Sequence, residues 1–136
     1  MIRNILAVLL GIVAGMAANM ALIYASLALY PLPEGLDPKD TEAYNGYLES
    51  LPTTAFVIIM LAHVGQAFVG GWVAAKTGAS RPMLLAMIIG VLSLAGGIAA
   101  MTIYHGPAWM KIELPLYLLV AWLAGTMVCK SRAKGT

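Results

Sequence analysis

His63 is the ionisable residue in this chain that sits near the centre of a strongly apolar segment, Thr53 to Thr77, TTAFVIIMLAHVGQAFVGGWVAAKT, with Gln66 one helical turn later. An imidazole takes or releases a proton near neutral pH. Hydrocarbon offers its ring nitrogens no partner, so neither His63 nor Gln66 is expected to face lipid. The chemistry available to such a residue is proton exchange, or a polar contact that fixes helix register.

The elements that would position it follow from hydropathy. The chain has 136 residues, 61% of them apolar and only 10% charged, and its mean hydropathy is +0.86. That excludes an ordinary soluble domain. Four stretches, about 5–30, 53–77, 83–104 and 111–129, are long enough to span about 30 Å of hydrocarbon as helices. The expected fold is all-α, a four-helix transmembrane bundle in a single domain, residues 1–136. The first stretch outlasts a secretory signal core and reads as an uncleaved signal anchor.

Between the first two spans, Pro31 and Pro33 end one helix, and Asp37-Pro38 opens a short amphipathic extracytoplasmic helix to about Ser50, with Asp37 as its cap. Gly78 reads as the C-terminal cap of the second span and Pro82 as the first residue of the third. Small residues recur every third or fourth position: Gly11 and Gly15 on the first span, Gly70 on the second, Gly90 and Gly97 on the third. Such faces let helix backbones approach closely. Leu6–Val13 also resembles Leu85–Leu92, the trace a duplicated hairpin would leave.

Counting inward from the outer boundary of each span places Asn19, His63, Ser93 and Trp122 all about 11 residues deep. With Gln66 they would form one polar layer. His63 is then expected to point inward, within reach of Asn19, Ser93 or Trp122. One use of the layer is a protonatable site; the favoured one is structural, because all six acids, Glu113 included, are expected outside the membrane and leave no second acid or base to relay a proton.

Other chemistries lack parts. Haem would need a second axial ligand, and His105 is expected near the outer surface. Zinc would need more ligands than the interior offers, so no metal is expected. The glycine pairs Gly70-Gly71 and Gly96-Gly97 are not phosphate loops. Cys129, the single cysteine, rules out an intrachain disulfide and reads as a packing residue. No cofactor and no nucleic-acid partner is expected.

Charge supplies orientation. Arg3, Lys76, Arg81, Lys130, Arg132 and Lys134 fall on one side under four spans, and Lys39 and Lys111 on the other. The positive-inside rule puts both termini in the cytoplasm of a cell-membrane protein, with the acidic segment 31–52 outside. The expected role is a non-enzymatic membrane protein acting through helix contacts in the lipid bilayer, by self-association or with another membrane protein. The alternatives are a small transporter or channel subunit with a polar site around His63, and a redox or lipid-handling enzyme subunit that uses His63.

Overall fold

The computed structural model describes residues 1–134, and all its regular structure is helical. In chain order it runs α1 (Ile2–Leu29), α2 (Thr41–Ser50), α3 (Thr53–Thr77), α4 (Pro82–Ile103), a 3-10 turn (Ala108–Ile112) and α5 (Glu113–Lys134). Four helical stretches, α1, α3, α4 and the turn with α5, are long and apolar enough to cross a bilayer. The bounds agree with those expected to within a few residues. One cap differs. Asp40, not Asp37, caps α2, accepting from the Glu42 and Ala43 amides; Asp37 instead accepts from Lys39 N–H in the preceding turn. Gly78 is the C-terminal cap of α3, its N–H donating to the Ala74 carbonyl from an extended conformation, and Arg81 takes the left-handed one at φ 52° ahead of α4.

Small residues decide who packs against whom. α3 is central: α1 lies along one side of it and α5 and α4 along the others, while α1 and α4 scarcely touch. A Cβ added at Gly11 would meet the Gly70 carbonyl oxygen at 2.6 Å, one at Gly70 would meet the Gly11 carbonyl at 2.8 Å, and one at Gly15 would meet the Gln66 carbonyl at 2.6 Å. α1 and α3 therefore touch backbone to backbone. On α4, Gly90 receives the Ala121 methyl and Gly97 the Tyr117 ring, both from α5. Fully buried alanines, Ala62, Ala67, Ala74, Ala75, Ala86, Ala121 and Ala124, fill the remaining seams.

Each end of the bundle is fastened by polar groups. At the end that carries both termini, the Arg132 guanidinium on α5 donates to the carbonyls of Ala75, Lys76 and Gly78, satisfying the last turn of α3. Asn4 of α1 donates to Ser80 Oγ and accepts from the Ala79 and Ser80 amides. At the other end α2 lies across the bundle: Tyr47 and Leu48 pack with Phe56 and Met110, Tyr47 Oη donates to the Tyr30 carbonyl, and Asn45 donates to the Ile103 carbonyl while accepting from the His105 amide.

Gly15 and Gly96 make a controlled comparison. A methyl at Gly15 meets fixed backbone, so Gly15→Ala is expected to lower bundle stability by about 1–3 kcal/mol. A methyl at Gly96 meets nothing within 4 Å, so Gly96→Ala is expected to be neutral or to gain up to about 1 kcal/mol from helix propensity. Thermal unfolding of the two variants in detergent checks the difference.

Candidate functional site

His63 lies ten residues into α3, about 15 Å along its axis. Its ring is 31% exposed and its Nδ1 is 3.3 Å from Oε2 of Glu113, whose side chain is 3% exposed. This is slightly longer than the usual N–H···O range of about 2.7–3.2 Å. Glu113 is the first residue of α5, where the helix dipole favours an acid and offsets part of the cost of burying a carboxyl. Tyr117, 2% exposed, stands one turn along α5 with its hydroxyl beside the Glu113 carboxyl.

The partner of His63 is therefore Glu113, which was expected outside with Lys111. The difference has a local cause. After α4 the chain turns at His105-Gly106-Pro107, and the 3-10 turn carries Met110 inward against Phe56, Tyr47 and Leu48. α5 consequently starts well inside the bundle, and Glu113, not Trp122, reaches the level of His63. Trp122 lies nine residues farther along α5, about 13 Å away on its axis, and is 49% exposed; it is no part of the layer. Tyr117 fills the aromatic position facing α4 that sequence counting missed. The burial of Glu113 is foreshadowed by Pro107 and Pro115, which disturb helix geometry around it, but nothing in periodicity sets how deep α5 begins.

Asn19, Gln66 and Ser93 do come together with His63. All four line a cavity of about 420 Å³ between α1 and α4, floored by α3, with Gly11, Gly15, Gly97 and Tyr117 also in its wall. A second cavity of about 520 Å³ lies beneath α2, lined by Tyr44, Leu48, Phe56, Tyr104, His105, Lys111 and Glu113. The two share Asn19, His63 and Ala100. His63 thus stands at their junction. Asn19 Oδ1 is buried there with no hydrogen-bond partner, although unsatisfied buried acceptors are uncommon.

Above the junction the walls become aromatic. Tyr44 meets Tyr104 edge-on at 5.7 Å and Tyr47 at 5.8 Å. Burial pushes the Tyr44 phenol above its ordinary pKa, with Tyr104 adding to the effect, so it remains a neutral ring and hydroxyl at physiological pH. Nearer the rim, His105 Nδ1 is 3.0 Å from Glu49 Oε1, both side chains well exposed; that pair is a solvated contact of small energetic weight.

The arrangement pairs a buried carboxyl with an imidazole. An unpaired carboxylate buried to this degree is costly, and His63 is the side chain that meets it, at 3.3 Å. Among the described residues, no cluster of three or more His, Cys, Asp or Glu side chains is arranged to hold a metal.

Comparison with known proteins adds little. No protein-family model matches the chain, and no solved structure matches it. Over 79 residues, 57% of its length, the chain is 29% identical to Polyamine aminopropyltransferase 1 of Streptomyces coelicolor. The matched part is 14% of that protein, so the chain corresponds to a small fraction of it, and the likeness assigns no family.

The pair can be tested by a double-mutant cycle on stability. Removing one partner leaves the other buried without its contact, whereas removing both does not. His63→Leu and Glu113→Leu are expected to couple by about 0.5–2 kcal/mol, the double variant losing less than the sum of the single ones. Additive losses in thermal or denaturant unfolding would show that the 3.3 Å contact does not tie α3 to α5.

Proposed function

We propose that this chain is a small multi-pass membrane protein that admits a polar solute from the α2 end of the bundle and holds it at the His63 and Glu113 pair, as a transporter or a transporter subunit. The observation that carries this reading is the buried carboxyl facing His63 at the junction of two cavities. Ionisable groups inside membrane spans characteristically mark solute or proton paths. The four apolar helices are compatible with a multi-pass membrane protein, and the basic end, with both termini, is placed in the cytoplasm by the positive-inside rule. The cavity beneath α2 then lies toward the outer end of the bundle.

The role first expected, a protein acting through helix contacts, rests on small-residue faces on three spans. In the fold, Gly11 and Gly15 are used against α3, Gly70 against α1, and Gly90 and Gly97 against α5, which leaves that role with less to rest on.

Two measurements test the reading. In a Cys129→Ser background, a His63→Cys variant in membranes is expected to react with a water-soluble methanethiosulfonate, whereas Leu61→Cys, on the outward apolar face of α3 at 53% exposure, is expected to stay unmodified. A His63→Cys variant as inert as Leu61→Cys would remove the solute path. For orientation, Gly46→Cys in α2 is suited to labelling, because its position is exposed and has open space around it. An impermeant reagent is expected to modify it from outside intact cells, and modification only after the cytoplasmic face is opened would reverse the assignment.

A further inference from the structure

The solute's chemical class can be read from the lining, if the solute reading holds. We infer that the solute is an organic cation, specifically a protonated primary amine with an apolar body, whose ammonium exchanges with the proton of the His63 and Glu113 pair.

Three independent features point the same way. At the bottom of the cavity beneath α2 is Glu113, a carboxyl with a 3% exposed side chain. Such a group needs one positive charge beside it, and a proton or an ammonium serves equally. Asn19, which lines both cavities, carries Oδ1, a buried acceptor without a partner. An acceptor is satisfied by an N–H donor, and a primary ammonium has three. A carboxylate or phosphate ligand would bring only further acceptors to both groups. Above them Tyr44, Tyr104 and Phe56 line the wall, and aromatic faces attract cations while accommodating an apolar body.

The approach has the matching sign. The α2 end exposes Glu34, Asp37, Asp40, Glu42 and Glu49 against Lys39 and Lys111, a balance that concentrates cations at the mouth. Lys111 lines the cavity and is exposed, and with Lys39 it offsets only part of that acidic balance. Around the pair itself, the titratable groups are Tyr117 on α5 and, toward the mouth, Tyr44, Tyr104, His105 and Lys111; α1 and α4 present the uncharged Asn19 and Ser93. None of these supplies the cation inside.

The exchange balances. With the pair holding one proton, an arriving ammonium brings one positive charge, the pair releases one proton to water, and the net charge of the site is unchanged. Departure of the amine reverses the step. A carrier built this way couples amine movement in one direction to proton movement in the other.

The test uses the full chain in lipid nanodiscs, with phenethylammonium as probe and 2-phenylethanol as its neutral counterpart of nearly the same shape. Titration calorimetry near neutral pH, repeated in two buffers of different ionisation enthalpy, reads binding and proton release together. Phenethylammonium is expected to bind saturably, at least about ten-fold more tightly than the alcohol, the scale of a hydrogen bond to a charged group, and to release about one proton. Glu113→Gln, close to isosteric, is expected to lose about ten-fold or more in affinity, and Asn19→Leu a smaller factor in the same direction. If Glu113→Gln fails to fold, Asn19→Leu and the alcohol comparison still decide. Equal binding of the alcohol, binding without proton release, affinity unchanged in the variants, or no binding of phenethylammonium would each overturn the ammonium assignment. Because labelling of His63→Cys is independent of any amine, a labelled site that ignores phenethylammonium retains the solute path and discards only its cation, whereas an unlabelled one discards both.

Discussion

The closeness of α1 to α3 is the constraint from which the rest of the architecture follows. Gly11 and Gly15 place the α1 backbone directly on the carbonyls of Gly70 and Gln66, and α1 meets α4 mainly near its own start, where Ala7 packs with Leu85 and Ile89. α4, for its part, is drawn to α5 by the seats that Gly90 and Gly97 provide for Ala121 and Tyr117. Two close pairings around α3 leave α1 and α4 apart. The gap between them is the cavity that holds Asn19, Gln66 and Ser93, so the polar lining faces an opening because of where the glycines are. Helix packing in an apolar medium depends on van der Waals fit rather than on a hydrophobic drive, which is why residues lacking a side chain carry so much of the organisation here.

The second determinant is the depth at which α5 begins. A conventional helical hairpin would join α4 and α5 at the bundle's surface and leave Glu113 in water with its neighbour Lys111. Instead Pro107 ends the turn, five residues follow in a 3-10 conformation, and Met110 anchors them in the apolar cluster under α2. The advance along the axis over these residues is enough to bring a carboxyl to His63. Glu113 owes its setting to a turn anchored by one side chain, Met110, while the residues on either side of it stay exposed.

Much of the scaffold could be read from the sequence, and the departures are instructive. Helix limits followed from hydropathy and proline positions, and the glycines at 11, 15, 70, 90 and 97 were recognisable as contacts because their spacing repeats with the helix. Asn19, Gln66, Ser93 and His63 line one cavity, although the hydrogen-bonding partner of His63 is Glu113 and not Asn19 or Ser93. For α5 counting residues inward misjudges depth: its first turn is already submerged, which moved Trp122 out of the layer and Glu113 into it. One cap was misread. Asp37 and Asp40 are both capable caps, and Asp40 is the one whose carboxylate accepts from the first amides of α2 while Asp37 closes the turn before it.

α2 joins two helices that otherwise barely meet. Through Tyr47 it is bonded to the final carbonyl region of α1, and through Asn45 to the last turn of α4 and the residue beyond it. A ten-residue helix thus acts as a tie-bar across the gap, setting its width at that end much as a crosspiece sets the spread of two posts. At the opposite end Asn4 ties α1 to the turn before α4. Held at both ends, the two helices can separate only by bowing in the middle, so any widening of the cleft is greatest at the level of Ser93 and Gly15, where a bent helix and not a moving lid would regulate its dimensions.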